Sequence, residues 1–470
     1  MNTSQSDRTG TPVSCGNPEA VALFDQALNQ FHSYFGDPVA TIDKALALEP
    51  DFALGHLFRG AMFAAMMENK FVSEIESSVN HAAALWHHAN DRERGHLRAL
   101  QRILGGNLNG AGVAWERVLV DYPRDAFALQ CGHLIDFYRG DASNLRDRVA
   151  RVLPHYDAGH PSRSFVLGMQ SFGFEECNQF DRAEQIGRQA LDLEPRDPWA
   201  VHAVAHVMEM QNRYDEGIDW YTERETNWAP DNGFAFHNWW HLGLYHMERG
   251  EYERALAIYD RDIYPGEAEF VLGLVDATAF LWRLRLQGVD TGERWRPLAD
   301  QWQAQAGSEN GFYAFNDWHA IMAYVGAGRE PAAERLLADM ERAAQVPGDN
   351  AGMTARVGLP IAKAVWAFGQ EDFTTAVEHL LPVRSTANQF GGSNAQRDAL
   401  NQTLIVAAIR AADHRLVTNL LNERLAHKPE SPLAWRFRAV AARAAGDTGT
   451  AGDAATKSQS LIATRAPRAA

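Results

Sequence analysis

Ala190-Leu-Asp-Leu-Glu-Pro195-Arg-Asp-Pro-Trp199-Ala-Val-His202-Ala-Val-Ala-His206-Val-Met-Glu209-Met210 is the stretch that decides the fold. It reads as a helix end, a proline stop, a polar pair and a new apolar helix. Proline ends the first helix because it has no N–H and its ring clashes with the preceding turn. The same pattern recurs at Ala45-Leu-Ala-Leu-Glu-Pro50, Val118-Leu-Val-Asp-Tyr-Pro123 and Arg424-Leu-Ala-His-Lys-Pro429. The four prolines lie 73, 72 and 234 residues apart. Those gaps are near two, two and six and a half units of about 36 residues, close to the tetratricopeptide period of about 34. Gly60, Ala183 and Ala190 supply the small residues such helix contacts use, and Tyr252–Ala255, Ala332–Leu337 and Phe373–Ala376 read as further second helices. Period-two runs of Val, Ile and Thr are nearly absent. The pattern predicts an all-α, tetratricopeptide-like helical-repeat superhelix, an α-α solenoid, with the first helix of each pair on the concave face.

Working outward, the segment 1–17 is polar, lacks the apolar core of a secretory signal, and reads as a flexible N-terminal arm. Residues 18–443 read as the superhelix with an internal pocket, and 444–470, rich in Ala, Gly and Thr, as a C-terminal helix or tail. Of the 470 residues, 46% are apolar and 22% charged, the composition of an ordinary globular chain. Lys and Arg total 44 against 60 for Asp and Glu, a formal net charge of −16. A field of that sign is expected to repel nucleic acid. No apolar run approaches the roughly 18 residues of a membrane span, so no membrane partner is expected. The three cysteines, Cys15, Cys131 and Cys177, are far apart and form no CxxC pair, which points to a reducing cytoplasm.

The chemistry concentrates in a few first helices. His202, His206 and Glu209 fall at i, i+4 and i+7 and share one helix stripe. Phe236-His237-Asn-Trp-Trp-His241 repeats the i, i+4 pair, and Phe315-Asn316-Asp317-Trp318-His319 follows further on. Nine of the 13 Trp lie between Trp199 and Trp318, so the imidazoles are expected to be walled by indoles. Three readings stay open. Each His can satisfy a buried carbonyl. His202, His206, Glu209, His237 and His241 can hold a divalent, zinc-like ion, two His at i, i+4 plus a carboxylate being valid ligand geometry. Or the group works without metal as acid and base, with Glu209 or Asp317 orienting a ring. The metalloprotease HExxH motif is absent, because Ala203 follows His202. The expected cofactor is therefore none or one divalent metal ion.

Asp276 is a lone carboxylate in an apolar helix and needs a buried partner, Arg or His. Gly391-Gly-Ser-Asn-Ala-Gln396-Arg397-Asp398 reads as a flexible loop opening a helix capped by Ser393 or Asn394, with Arg397 free to hold an anion or paired to Asp398 or Asp276. Neither a P-loop nor Gly-x-Ser-x-Gly nor a dinucleotide fingerprint occurs.

Together, Val201–Met210, His237–His241, Phe315–His319 and the Gly391–Asp398 string resemble the tetratricopeptide repeat protein 38 family, over roughly Asn17 to Leu433. The resemblance implies a tetratricopeptide superhelix and brings no settled activity. It also marks His56, His96, His133, Glu176 and Asp276 as family-like, and His246 as a departure. Peptide-binding repeats carry variable Asn, Lys and Arg on the concave face, whereas these residues are His, Glu, Asp and Arg. The expectation is thus a closed site for a small polar or anionic molecule: a hydrolase or lyase with His202, His206, Glu209, His237, His241, Asp317 and His319 as the reactive cluster. Arg397, Asp276, Trp240, Glu176 and His133 would contact the substrate. The alternative is a non-catalytic scaffold for a peptide or protein partner. Solenoid ends often pair, which makes a homodimer possible.

Overall fold

In the computed structural model of the chain, residues 5–463 are described. They form a run of helical hairpins, each packed on the next. The quoted stretch is built as the pattern predicts. The helix Phe180–Leu193 stops before Pro195, and Pro198–Met210 follows. Asp197 caps the new helix by accepting from the N–H groups of Trp199 and Ala200, and Pro198 occupies the first turn, where a missing N–H costs nothing. Asn17-Pro18, Asp37-Pro38 and Ser431-Pro432 open their helices by the same device. Pro50, Pro123 and Pro429 likewise fall in the turns between hairpins. The spacing slips where the second helix of a hairpin runs on as a π-helix over Tyr259–Ile263, and where a π-helix over Thr354–Gly358 leads into the first helix Leu359–Gly369. Among the described residues the only strands are Gln5–Ser6 and Pro12–Val13, a two-stranded antiparallel hairpin. None of the described helices is long and apolar enough to cross a membrane.

The superhelix closes on itself. Asn109 donates to Asp349 at 2.8 Å, the Tyr313 hydroxyl donates to the Tyr138 carbonyl at 2.8 Å, and the Asn69 N–H donates to Glu309 at 2.9 Å. These partners lie 175 to 240 residues apart. Repeats distant in sequence therefore meet across the axis, and side chains fill the bore. Gly391 and Gly392 belong to this closure. Both have left-handed φ values, 89° and 76°, and a Cβ on either would overlap Tyr313 or Phe315. The string that reads as a flexible loop is thus a packed joint. Ser393 caps the helix Asn394–Arg410 in a reciprocal box with Gln396.

The expected flexible arm is corrected at residues 5–17, which pack against the first repeats. Asp7, buried, pairs with buried Arg92 at 2.8 Å, and Arg92 also holds Asp125 at 2.6 Å. Val13 and Cys15 join the apolar core. A polar segment looks loose in sequence because the partner that neutralises it lies some 85 residues away. At the other end Thr448–Ala463 is a helix that buries Ala451, Ala454, Ser458 and Leu461 against Pro432–Ala444. Residues 1–4 of the arm and 464–470 of the tail lie outside the described residues.

Candidate metal centre

Four imidazoles meet where two successive first helices, Pro198–Met210 and Ala235–Arg249, lie side by side. One ring nitrogen from each of His202, His206, His237 and His241 lies within 4.8 Å of all the others. The i, i+4 spacing stacks each pair on one helix face, and the hairpin repeat sets the two faces against each other. Exposure ranges from 0% for His206 and His241 to 5% for His237, so water is excluded. The His202 and His237 Nε2 atoms are 3.1 Å apart.

Carboxylates stand behind the rings. His237 Nδ1 donates to Asp276 at 2.6 Å, and His241 Nδ1 donates to Glu209 at 3.0 Å. Glu175 lies 3.3 Å from His206 Nδ1. An Nδ1–H held by a carboxylate fixes the tautomer and leaves the Nε2 lone pair facing the other rings. Asp276 therefore finds its buried partner in His237. Glu209, which the stripe places among possible ligands, is instead the acceptor behind His241.

Beyond Glu175, Glu176 accepts from the Asn394 N–H at 2.7 Å and from Arg397 at 3.2 Å. Arg397 also binds Asn394 and the Gly392 carbonyl, and Asp398 pairs with Arg424. The expected pairing of Arg397 with Asp398 or Asp276 is thus replaced by Glu176, which occupies the guanidinium meant for an anionic substrate. Trp240 stacks on His237 at 5.4 Å and meets His241 edge-on at 4.7 Å. Arg283 lies over the other part of the indole at 5.1 Å, donating to the carbonyls of Ala395 and Gln396.

Burial governs the electrostatics. It pushes His202 and His241 well below the ordinary imidazole range and His206 down to about 4. It pushes Asp276 and Glu209 up, and Glu175 and Glu176 to about 7. Charge in either direction is disfavoured, so the group is driven to neutrality.

The remaining predicted residues sit elsewhere. Asp317 and His319 lie on Ala314–Gly326, which packs against Val271–Leu286 and Leu359–Gly369. His319 Nδ1 donates to the Phe315 carbonyl at 2.8 Å, and Asp317 accepts from the Gly311 N–H at 2.9 Å. His133 lines a separate cavity of about 10 Å³ with His32, Tyr34 and Trp199, room for roughly one water. His96 lies between Asp125 and the Trp115 indole, and His56 binds the Pro50 carbonyl. Two residues of the centre escape the sequence reading. Glu175 is masked by its neighbour Glu176. Arg283 carries a signal in hindsight: it is a second charge in the apolar helix that already holds Asp276.

Asp317 yields a pH test. Burial pushes its carboxyl up to about 8, with Asp339 and Glu309 adding to the rise. The unfolded side chain titrates near 4. Between those values the unfolded chain releases a proton that the folded chain keeps, so stability falls as pH rises, by up to about 1.4 kcal/mol per pH unit. Asp317→Asn removes that slope. Urea midpoints of wild type and variant should be similar at pH 4.5, with the variant higher at pH 8. Parallel pH profiles would refute the assignment.

No protein-family model matches the chain. Solved helical-repeat structures align over nearly its whole length. The human IFIT1 dimer with PPP-AAAA shares 13% identity, covers 95% of each chain and has a TM-score of 0.42. The APC/C hetero-tetramer Cut9–Hcn1 gives 12% identity, 94% of each chain and a TM-score of 0.33. Yeast Tom70 gives 12% identity, 94% of this chain and 92% of that one, and a TM-score of 0.34. At this identity the likeness speaks to fold alone. One expectation is nevertheless corrected. Net charge predicts no nucleic acid and site chemistry a small-molecule partner. Yet proteins of this architecture are solved with PPP-AAAA and within a hetero-tetramer. Net charge by itself does not carry the exclusion, because a partner meets the local potential of a groove and not the sum over the chain.

Proposed function

We propose that the chain is a non-catalytic helical-repeat scaffold that binds a peptide segment of a protein partner. The observation that carries this is a groove of about 460 Å³ across successive first helices, Leu359–Gly369, Asn394–Arg410 and Pro432–Ala444, and the end of Val271–Leu286. Its floor is apolar, with Leu286, Phe368, Val406, Ile409 and Phe437, and Arg285, Arg410 and Arg436 edge it. Arg285 donates to the Val325 carbonyl, and Arg436 to the carbonyls of Met247 and Glu248. Among the described residues neither pairs with a carboxylate. Glu371 is the acidic residue of the lining, beside Arg410. In a chain of net charge −16 this is a local reversal of sign. It suits a segment that sets apolar side chains on the floor and a carboxylate between Arg285 and Arg436.

The hydrolase or lyase reading needs substrate-sized room beside the imidazoles. The cavities flanking them are about 10 Å³ beyond Trp199 and about 30 Å³ at Glu209. Ligand pockets for small molecules run to hundreds of Å³. Two finer assignments belong to the same proposal. Membership of the tetratricopeptide repeat protein 38 family rests on the Gly391–Asp398 string and the His-bearing helices. A reducing compartment rests on Cys15, Cys131 and Cys177, all free thiols.

Panning a random peptide library on the intact chain tests the groove. Sequences with Asp or Glu beside apolar residues should be enriched on wild type and lost on Arg285→Ser/Arg436→Ser. A charge-assisted contact of about 1.5–3 kcal/mol corresponds to a Kd weaker by roughly 10- to 150-fold in the variant. Enrichment that ignores carboxylates, or equal affinity for both proteins, would overturn the assignment.

A further inference from the structure

The geometry points to a resident zinc-class divalent cation held by His202, His206, His237 and His241, which closes the interior of the array. This site is independent of the groove.

The donor set is the first argument. Four imidazoles from two adjacent helices bring ring nitrogens within 4.8 Å of one another. Tetrahedral zinc binds imidazole nitrogen at about 2.0–2.1 Å, which sets ligand nitrogens roughly 3.4 Å apart. The His202–His237 separation of 3.1 Å is already close to that spacing.

The second argument is what the nitrogens lack. His202 Nδ1, both nitrogens of His206 and His241 Nε2 are buried with no hydrogen-bond partner. Buried polar atoms are almost always satisfied, and four orphans on three adjacent rings are a large exception. A single cation on the four Nε2 atoms meets two of these orphans, His206 Nε2 and His241 Nε2, at once.

The third argument is the outer layer. Metal-bound histidines characteristically donate their other N–H to a carboxylate. Here Asp276 accepts from His237, Glu209 accepts from His241, and Glu175 stands 3.3 Å from His206. These carboxylates would supply counter-charge to a dication. Their oxygens face the outer ring nitrogens, so they act as positioning residues.

Four protein nitrogens fill a tetrahedral sphere, the mark of a structural rather than a catalytic zinc site. The ion would clamp Pro198–Met210 to Ala235–Arg249 and so fix the curvature of the array at mid-length.

The test uses full-length chain dialysed against a chelator, then titrated with Zn²⁺ in competition with a chromophoric chelator. The expected result is one equivalent bound, a rise in melting temperature, and tetrahedral d–d absorption when Co²⁺ is added alone. His206→Ala/His241→Ala should lose the equivalent. Glu209→Gln and Asp276→Asn keep every ligand and should fold, binding Zn²⁺ roughly 10- to 100-fold more weakly. If the double variant fails to fold, these two decide. Wild type that is folded by circular dichroism yet binds no Zn²⁺, or the same affinity in wild type and both carboxamide variants, would overturn the proposal.

Discussion

Arg92→Ala is expected to lower the stability of the chain by roughly 3–5 kcal/mol, the usual consequence of removing one partner from a buried ion network. The guanidinium is fully buried between two carboxylates, with contacts of 2.8 Å to Asp7 and 2.6 Å to Asp125. Asp125 also accepts from His96 at 3.0 Å, and the Trp115 indole donates to that same ring at 3.1 Å. The Arg92 guanidinium and the N–H that His96 donates hold the Asp125 carboxyl well below the usual carboxylate range against the cost of burial. Without Arg92, Asp7 and Asp125 face each other in a dry interior. Arg92→Lys should rescue only in part, because a point charge cannot reach both carboxylates as a planar fork does. The urea midpoint measures the loss, and hydrogen exchange over residues 5–17 locates it. A change under about 1 kcal/mol would mean that the N-terminal segment is not held by this network.

Trp240→Ala should cost a similar amount, about 3–5 kcal/mol, as large-to-small changes at fully packed aromatic positions do. The indole has no exposed surface, stacks on His237 and carries the Arg283 guanidinium over its ring. Its loss leaves a cavity beside the imidazoles and brings a buried cation towards them. Trp240→Phe keeps a ring in the stack and should retain most of the stability. Urea midpoints that fall equally for both variants would contradict this, since a retained ring would then preserve nothing of the packing.

The sequence makes the local part of this molecule legible. Proline stops with a 36-residue beat follow from backbone chemistry and recur through the hairpins. The pairs His202/His206 and His237/His241 are visible because 3.6 residues per turn is a property of one helix. Their convergence follows from stacking neighbouring hairpins. Partners contributed from distant repeats are not legible. His237 and Asp276 are 39 residues apart, and Glu176 and Arg397 are 221 apart. Such pairs depend on how the superhelix curves and closes. The same ignorance pairs Arg397 with Asp398 or Asp276, groups Asp317 and His319 with a cluster on other helices, and reads 5–17 as loose. Net charge fails for a related reason. A sum over 470 residues cannot reveal three arginines gathered on one groove.

At the centre of this account is a repeat array whose interior is locked by a cation, leaving the groove as its working surface. Anomalous diffraction at the zinc absorption edge, on crystals of the full chain grown with one equivalent of Zn²⁺, tests it most directly. The account predicts a single peak per chain, about 2.0–2.1 Å from the Nε2 atoms of His202, His206, His237 and His241. A peak at any other set of residues, or no peak among these four rings, would contradict it.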